Sequence, residues 1–297
     1  MTRGGAGMEL GWFTLVLIYI ALNSTSKILQ KQILTDDAVD DTAFSAVFQL
    51  MPGLFTLPLL FFEPIRYPSQ PIVWVALLVS CFGYACCMTL YFYGLKRTEI
   101  SQVETIGTTR SIWMMLIGVL FFGEIISLSK VIGVCLIIAA IAIVYARRDS
   151  LQKMGRSQAA VLLYAIIISI CYALDKYVLG YFSLTLFQVL IFTVPAGITL
   201  VLFPTAAKKI IPMFKTKRNY LPMLACFLAQ AISLLALYRA YQTGGQLSVV
   251  GPIAQTTTIV TITVGILMLH EFWNLKRKII GIGLALIGII FLRFVSF

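Results

Sequence analysis

LYFYGLKRTEISQVETIGTTRSIWMMLIGVLFFGE (90–124) and LYRAYQTGGQLSVVGPIAQTTTIVTITVGILMLHE (237–271) are two copies of one pattern. At one constant offset, Leu90, Tyr91, Ser101, Thr109, Gly118 and Glu124 fall on Leu237, Tyr238, Ser248, Thr256, Gly265 and Glu271. After one inserted residue, Gly133 meets Gly281. The correspondence also runs backwards: IALNSTSKIL (20–29) aligns with SICYALDKYV (169–178), setting Lys27 against Lys176, and Pro52 matches Pro195 after a longer first loop. Each identity is weak alone. Their common order in both halves of the chain makes an internal repeat.

The repeated segments are too apolar for water. Of 297 residues, 60% are hydrophobic and 12% charged, where a soluble domain carries about a quarter charged. A helix crossing a bilayer needs about 20 apolar residues, because it rises ~1.5 Å per residue through ~30 Å of hydrocarbon. Runs of that kind cover 11–31, 43–62, 72–94, 101–122, 127–146, 158–180, 183–203, 219–241, 246–269 and 276–296. A transmembrane barrel would instead show alternating segments of about ten residues. Trp12, Tyr67, Trp74, Tyr145, Tyr220 and Trp273 mark run ends, as an interfacial aromatic belt does. The expected fold is an all-α membrane protein, with ten transmembrane helices in two inverted five-helix repeats. The first repeat is 1–148, a linker 149–156, the second 157–297.

The inversion follows from parity. Five spans are an odd number, so the second half crosses the membrane in the opposite sense. The halves are then related by a pseudo-two-fold axis in the membrane plane, can rock between states open to either side, and place a substrate site near the midplane between them.

The net charge of +11 does not imply a nucleic-acid partner. Basic residues lie in short loops such as RRDSLQKMGR (147–156) and KTKR (215–218), where anionic headgroups and topology account for them. The six cysteines, Cys81, Cys86, Cys87, Cys135, Cys171 and Cys226, all sit in apolar runs and read as small packing residues. Arg3 precedes an apolar run without a cleavage site, which reads as the first span rather than a removed leader. Asp36-Asp37-Ala38-Val39-Asp40-Asp41 looks like a diphosphate–Mg²⁺ motif, but that chemistry needs a second aspartate cluster; the segment reads as a solvated first loop.

Charged groups inside a span are costly and are functional candidates by default. The bases are Lys27, Arg110, Lys176 and Arg239; the acids are Glu104 and Asp175. Arg110 sits near the middle of the fourth span, too deep to snorkel. It can anchor an anionic substrate or form a structural ion pair with Glu104 or Asp175. Trp113, three residues on, shares its side of the helix. Lys27 shares a stripe with Asn23 and Gln30, and Lys176 with Tyr172. Both lysines suit paired gates, and both also suit snorkelling to an interface. Arg239 ends its span and reads as interfacial. Gln49, Gln230 and Gln255 can line a site or bridge helices, and Tyr84, Tyr91, Tyr172 and Tyr238 can line a cavity or pack. Glu104 and Asp175 are the ion-coupling candidates, since desolvation favours a protonated carboxyl and nearby bases oppose it. Glu124 and Glu271 read as turn residues, His270 as incidental, and Pro52, Pro58 and Pro195 as kinks or site-lining breaks.

These residues resemble the drug/metabolite transporter superfamily, in particular its EamA-type members. The resemblance covers two five-span halves, Phe122-Gly123-Glu124 followed by Ile132-Gly133, and Lys27 with Asp175-Lys176. The second half departs from the signature, with Leu269-His270-Glu271. The resemblance implies a secondary transporter of small organic solutes working by alternating access. It names no substrate.

Orientation draws two opposed expectations. Lys31, Lys96, Arg97, Arg147, Arg148, Lys208, Lys209, Lys276 and their neighbours share one face, against Arg3, Arg66, Lys130 and Arg293 on the other. The positive-inside rule then puts both termini outside, whereas relatives are described with both inside; the charge distribution is favoured.

The expected function is secondary transport of a small polar metabolite, an amino acid or organic anion, with a lipid flippase or intramembrane enzyme acting on an anionic lipid as the rival. No enzymatic constellation, metal site or cofactor is expected. Expected partners are the small-molecule substrate and membrane lipids, with proton coupling or exchange, as a monomer or homodimer. The expected location is a multi-pass position in the cell membrane, the inner one in a prokaryote.

Overall fold

The computed structural model describes residues 11–97, 103, 106–107, 109–123, 127–145, 155–215, 217–254 and 256–261, with isolated helical positions between 276 and 291. Its helices are α1 (Trp12–Leu34), α2 (Asp41–Thr56, extended by a 3₁₀ turn over Leu57–Phe61), α3 (Pro71–Arg97), α4 (Arg110–Phe122) and α5 (Leu128–Tyr145) in the first half. The second half has α6 (Arg156–Val178), α7 (Leu184–Leu202), α8 (Pro204–Lys215), α9 (Lys217–Gln242) and α10 (Leu247–Ala254). Among the described residues, 6 helices are long and apolar enough to cross a membrane, and shorter apolar helices cover Ile112–Phe122, Leu128–Ala140 and Leu247–Thr261. The expected span 276–296 falls largely outside the described residues.

Local chemistry fixes the helix ends. The Asp40 carboxylate accepts from the Thr42 and Ala43 backbone N–H groups and caps α2, satisfying donors that lack intrahelical partners. α4 ends at Gly123, whose φ of 60° is left-handed; glycine adopts this geometry without a Cβ penalty. The glycine of the family-like Phe-Gly-Glu signature is thus a helix stop.

The packing obeys the two-fold. α1 runs along α9, and α3 along α6; α2 packs on α7, and α4 on α10. Exchanging the halves turns α1 into α6 and α9 into α3, so the first two pairs are images of one another. The α2–α7 and α4–α10 pairs are each their own image. Close crossings are made by small residues: a Cβ on Gly83 would meet Cys171 Sγ at 2.6 Å, and one on Gly53 would meet Thr193 Cγ2 at 2.8 Å. Pro52 and Pro195 stay inside continuous helices. Large apolar side chains such as Phe61, Leu120, Phe121 and Val201 face outward, as a lipid-facing surface requires.

One element was not expected. Residues 204–215 read as loop, yet α8 is a helix with Lys208, Lys209 and Lys215 on a short apolar frame. Ala206 and Met213 are buried while Ile211 is 69% exposed. Too short to span, it has the form of a helix that lies along a membrane surface.

Candidate functional site

Asp175 on α6 is 0% exposed. Its Oδ1 accepts from Ser80 Oγ at 2.7 Å, and its Oδ2 from Tyr84 OH at 2.6 Å and Tyr238 OH at 3.1 Å. Ser80 and Tyr84 lie one turn apart on α3 and therefore on one side of it. The carboxylate thus ties α3 of the first half to α6 and α9 of the second through short, charge-assisted bonds. Tyr238 also stands edge-on to Phe187, with ring centroids 5.0 Å apart.

Arg110 opens α4 and is 5% exposed. Its Nη1 donates to Tyr164 OH at 3.1 Å, and its carbonyl oxygen accepts from Ser169 Oγ at 3.3 Å, so α6 holds both ends of the residue. Tyr164 packs on Tyr91 with ring centroids 4.9 Å apart. Tyr172, one turn from Ile168 and two from Tyr164 on α6, lies in electrostatic reach of Tyr19, Arg110, Tyr164 and Tyr241. Tyr84 and Tyr172 are 6.4 Å apart, centroid to centroid, joining the arginine cluster to Asp175. The half-buried Trp113 has its indole Nε1 buried without a hydrogen-bond partner among the described residues. Of the sequence candidates, Arg110, Tyr91, Tyr172, Asp175 and Tyr238 thus fall in one neighbourhood between the halves.

The others are dispersed. Gln49 Nε2 donates to Ser45 and to Thr199 Oγ1 at 3.2 Å, bridging α2 and α7. Asn23 is buried with an unbonded Oδ1, and Gln230 is buried on α9. Lys27 is half-buried, while Gln30 turns back to Ser26 Oγ at 3.1 Å. Glu104 and Gln255 lie outside the described residues, as do Glu124, His270 and Glu271. Ser80, Tyr164, Tyr19 and Tyr241 escaped sequence reasoning. So did Gln188, which donates to Thr56 Oγ1 at 3.2 Å and to the Ala231 carbonyl at 2.7 Å. The spacing of Ser80 from Tyr84 was the only signal present.

A cleft of about 430 Å³ is lined by Arg66, Lys176, Leu179, Gly180, Arg239, Tyr241 and Gln242. These lie in or beside the α2–α3, α6–α7 and α9–α10 connections, so the cleft opens on that face. Lys176 Nζ sits 4.6 Å from the Phe122 ring centroid, and Arg239 Nη1 donates to Gln242 Oε1 at 3.2 Å. Tyr241 joins the cleft to the Tyr172–Arg110 cluster.

The opposite face is tied shut. Lys209 on α8 pairs with Asp40 at 2.6 Å, Arg97 pairs with Asp41, and Lys96 Nζ donates to the Val39 carbonyl at 2.6 Å. The aspartate run is the first loop, as expected, with Asp37 and Ala38 exposed, but distant bases hold its last two carboxylates. Burial pushes the Asp40 carboxyl up, but the Lys209 hydrogen bond, its charge and the Ala43 and Thr42 N–H donors outweigh that and hold it below its usual value. The same hydrogen bond and charge raise Lys209.

Residues 10–146 match the EamA-like transporter family. A solved crystal structure of another protein superposes with a TM-score of 0.71 at 11% identity, over 95% of this chain and 98% of that one; at that identity the likeness shows the fold alone. No curated protein matches significantly. The resemblance to EamA-type transporters drawn from the sequence is thus matched over the first half of the chain, and the 6 helices able to cross a membrane agree with a multi-pass membrane protein.

Proposed function

We propose that this chain is a secondary transporter that moves a small polar metabolite, an amino acid or organic anion, by alternating access between its halves, 1–148 and 157–297. The observation that carries this reading is Arg110: an enclosed guanidinium between the halves, bonded to Tyr164, beside Tyr172 and Trp113, and connected by Tyr241 to a basic cleft. A buried cation on a transport path is a natural counter-charge for an anionic group. Asp175 is the ion-coupling residue of this scheme. Its three hydroxyl bonds join helices of both halves, so a change in its protonation would alter contacts between them.

The test is uptake into proteoliposomes from a panel of amino acids and organic anions. Accumulation of at least one solute that Arg110→Gln abolishes is the expected result. Transbilayer movement of a labelled anionic lipid, without solute uptake, would replace this reading with the flippase.

A further inference from the structure

We propose that α8 holds an anionic phospholipid: its outer apolar edge rests on acyl chains of the adjoining leaflet, and Lys208 takes the negatively charged headgroup. α7 has 19 residues, a rise of roughly 28 Å at helical pitch, which is close to the hydrocarbon thickness. Its end therefore lies at a bilayer surface, and α8 starts just beyond it, at Pro204. Val201, Leu202 and Phe203 at this corner are exposed, as apolar residues against lipid are. Helical spacing divides α8 into three edges. Ala206, Ile210 and Met213 turn inward, with Ala206 and Met213 buried, where α8 packs on α2, α7 and α9. Ala207, Ile211 and Phe214 form a second edge, with Ile211 69% exposed. Thr205, Lys208, Lys209 and Pro212 form a third, exposed throughout. A helix lying in the interface with one apolar and one basic edge sinks the first toward acyl chains and keeps the second at headgroup level. A soluble anion would cover only the basic edge; a phospholipid covers both. On the basic edge Lys209 is bound by Asp40, whereas Lys208 forms no ion pair among the described residues. No Asp or Glu occurs from 176 to 270, so α8 and both its flanks bring positive charge alone. A lysine at a bilayer surface attracts anionic headgroups. In phosphatidylcholine the choline ammonium offsets the phosphate and repels the lysine.

The test labels Ile211→Cys with bimane in the full chain, in a Cys135→Ser background that removes the exposed native thiol. The protein is placed in nanodiscs of fixed phosphatidylcholine and phosphatidylglycerol composition, with bromine on the acyl chains of one lipid or the other. Quenching per mole of brominated lipid is expected to be on the order of fivefold stronger when phosphatidylglycerol carries the bromine. Lys208→Gln should bring that ratio to one, and Lys208→Arg should keep it. Aqueous iodide should quench bimane weakly on Ile211→Cys and strongly on Thr205→Cys, which lies on the basic edge. Equal quenching by the two brominated lipids overturns the proposal, as does a preference that survives Lys208→Gln. Strong iodide quenching on Ile211→Cys means that this edge faces water, and protection from both quenchers means that a second copy or another protein covers it; either result also overturns the proposal. No transport is measured, so the outcome stands apart from the Arg110→Gln uptake test.

Discussion

Arg110 is 5% exposed, so protein and not bulk water surrounds its guanidinium. Tyr164 supplies one hydroxyl acceptor, at 3.1 Å. Arg110→Gln keeps a hydrogen-bonding side chain and removes the charge. Uptake should fall at least about tenfold while a monodisperse, folded protein is retained; unchanged uptake would remove Arg110 as the anchor. Arg110→Lys should restore uptake only partly, since an ammonium lacks the planar fork. Asp175 calls for two variants. Asp175→Ala leaves Ser80, Tyr84 and Tyr238 with buried hydroxyls and no acceptor, at about 1–3 kcal/mol for each group, and should visibly lower the Tm in detergent. Asp175→Asn keeps one carbonyl acceptor and should cost less, yet uptake should lose its response to an imposed proton gradient. A preserved gradient response would exclude Asp175 as the coupling group. Arg110 and Asp175 were legible in the sequence because a charge in an apolar run stands out. Tyr164, Ser80 and Gln188 were not, since neutral polar residues in apolar helices look the same whether they pack, bridge or line a cavity. The pairing of Asp40 and Asp41 was not legible either, because Lys209 and Arg97 reach them only through the fold.

At the scale of elements, the helix pairs that pack are images of one another or of themselves under the repeat, and glycine sets how closely. On α3, a Cβ at Gly94 would run into Val161 Cγ2 and would lie 3.3 Å from the Ser157 carbonyl oxygen on α6. The side chain can yield; the backbone cannot. Gly94→Ala should therefore destabilise by about 1–3 kcal/mol, as overpacking does, and adding Val161→Ala should recover part of that. Additive losses in thermal unfolding would show that the two residues do not share the crossing. The repeat was legible here because it survives as identities at a fixed offset. α8 was not, because a twelve-residue amphipathic segment carries neither the length of a span nor the polarity of an ordinary loop.

At the scale of the whole molecule, the two faces differ in a way the two-fold alone does not require. One face is a basic cleft; the other is held by Lys209–Asp40, with the partners drawn from opposite halves, and by Arg97–Asp41. On the alternating access proposed above, an inverted pair that rocks has to break one face's contacts to close the other's, and Lys209–Asp40 would belong to the state seen here. Lys209→Gln, or Asp40→Asn, which keeps a competent helix cap, should shift the population toward opening on this face. The shift should be a few-fold, because a partly exposed pair contributes little. Spin labels at Gln32 and Ile211 would report it as a longer distance population. The pH dependence has a definite sign. Asp40 is held below its ordinary 3.8, so its contribution is complete above that value and is lost only as pH falls through the lowered one. Lys209 is raised above 10.5, so its contribution is complete below that value and is lost as pH rises past the raised one. The distance distribution should therefore hold constant from about pH 5 to 9 and move only in stronger acid or base. A transition inside that window, or an unchanged distribution in both variants, would show that the pair is an ornament of this face and not its latch.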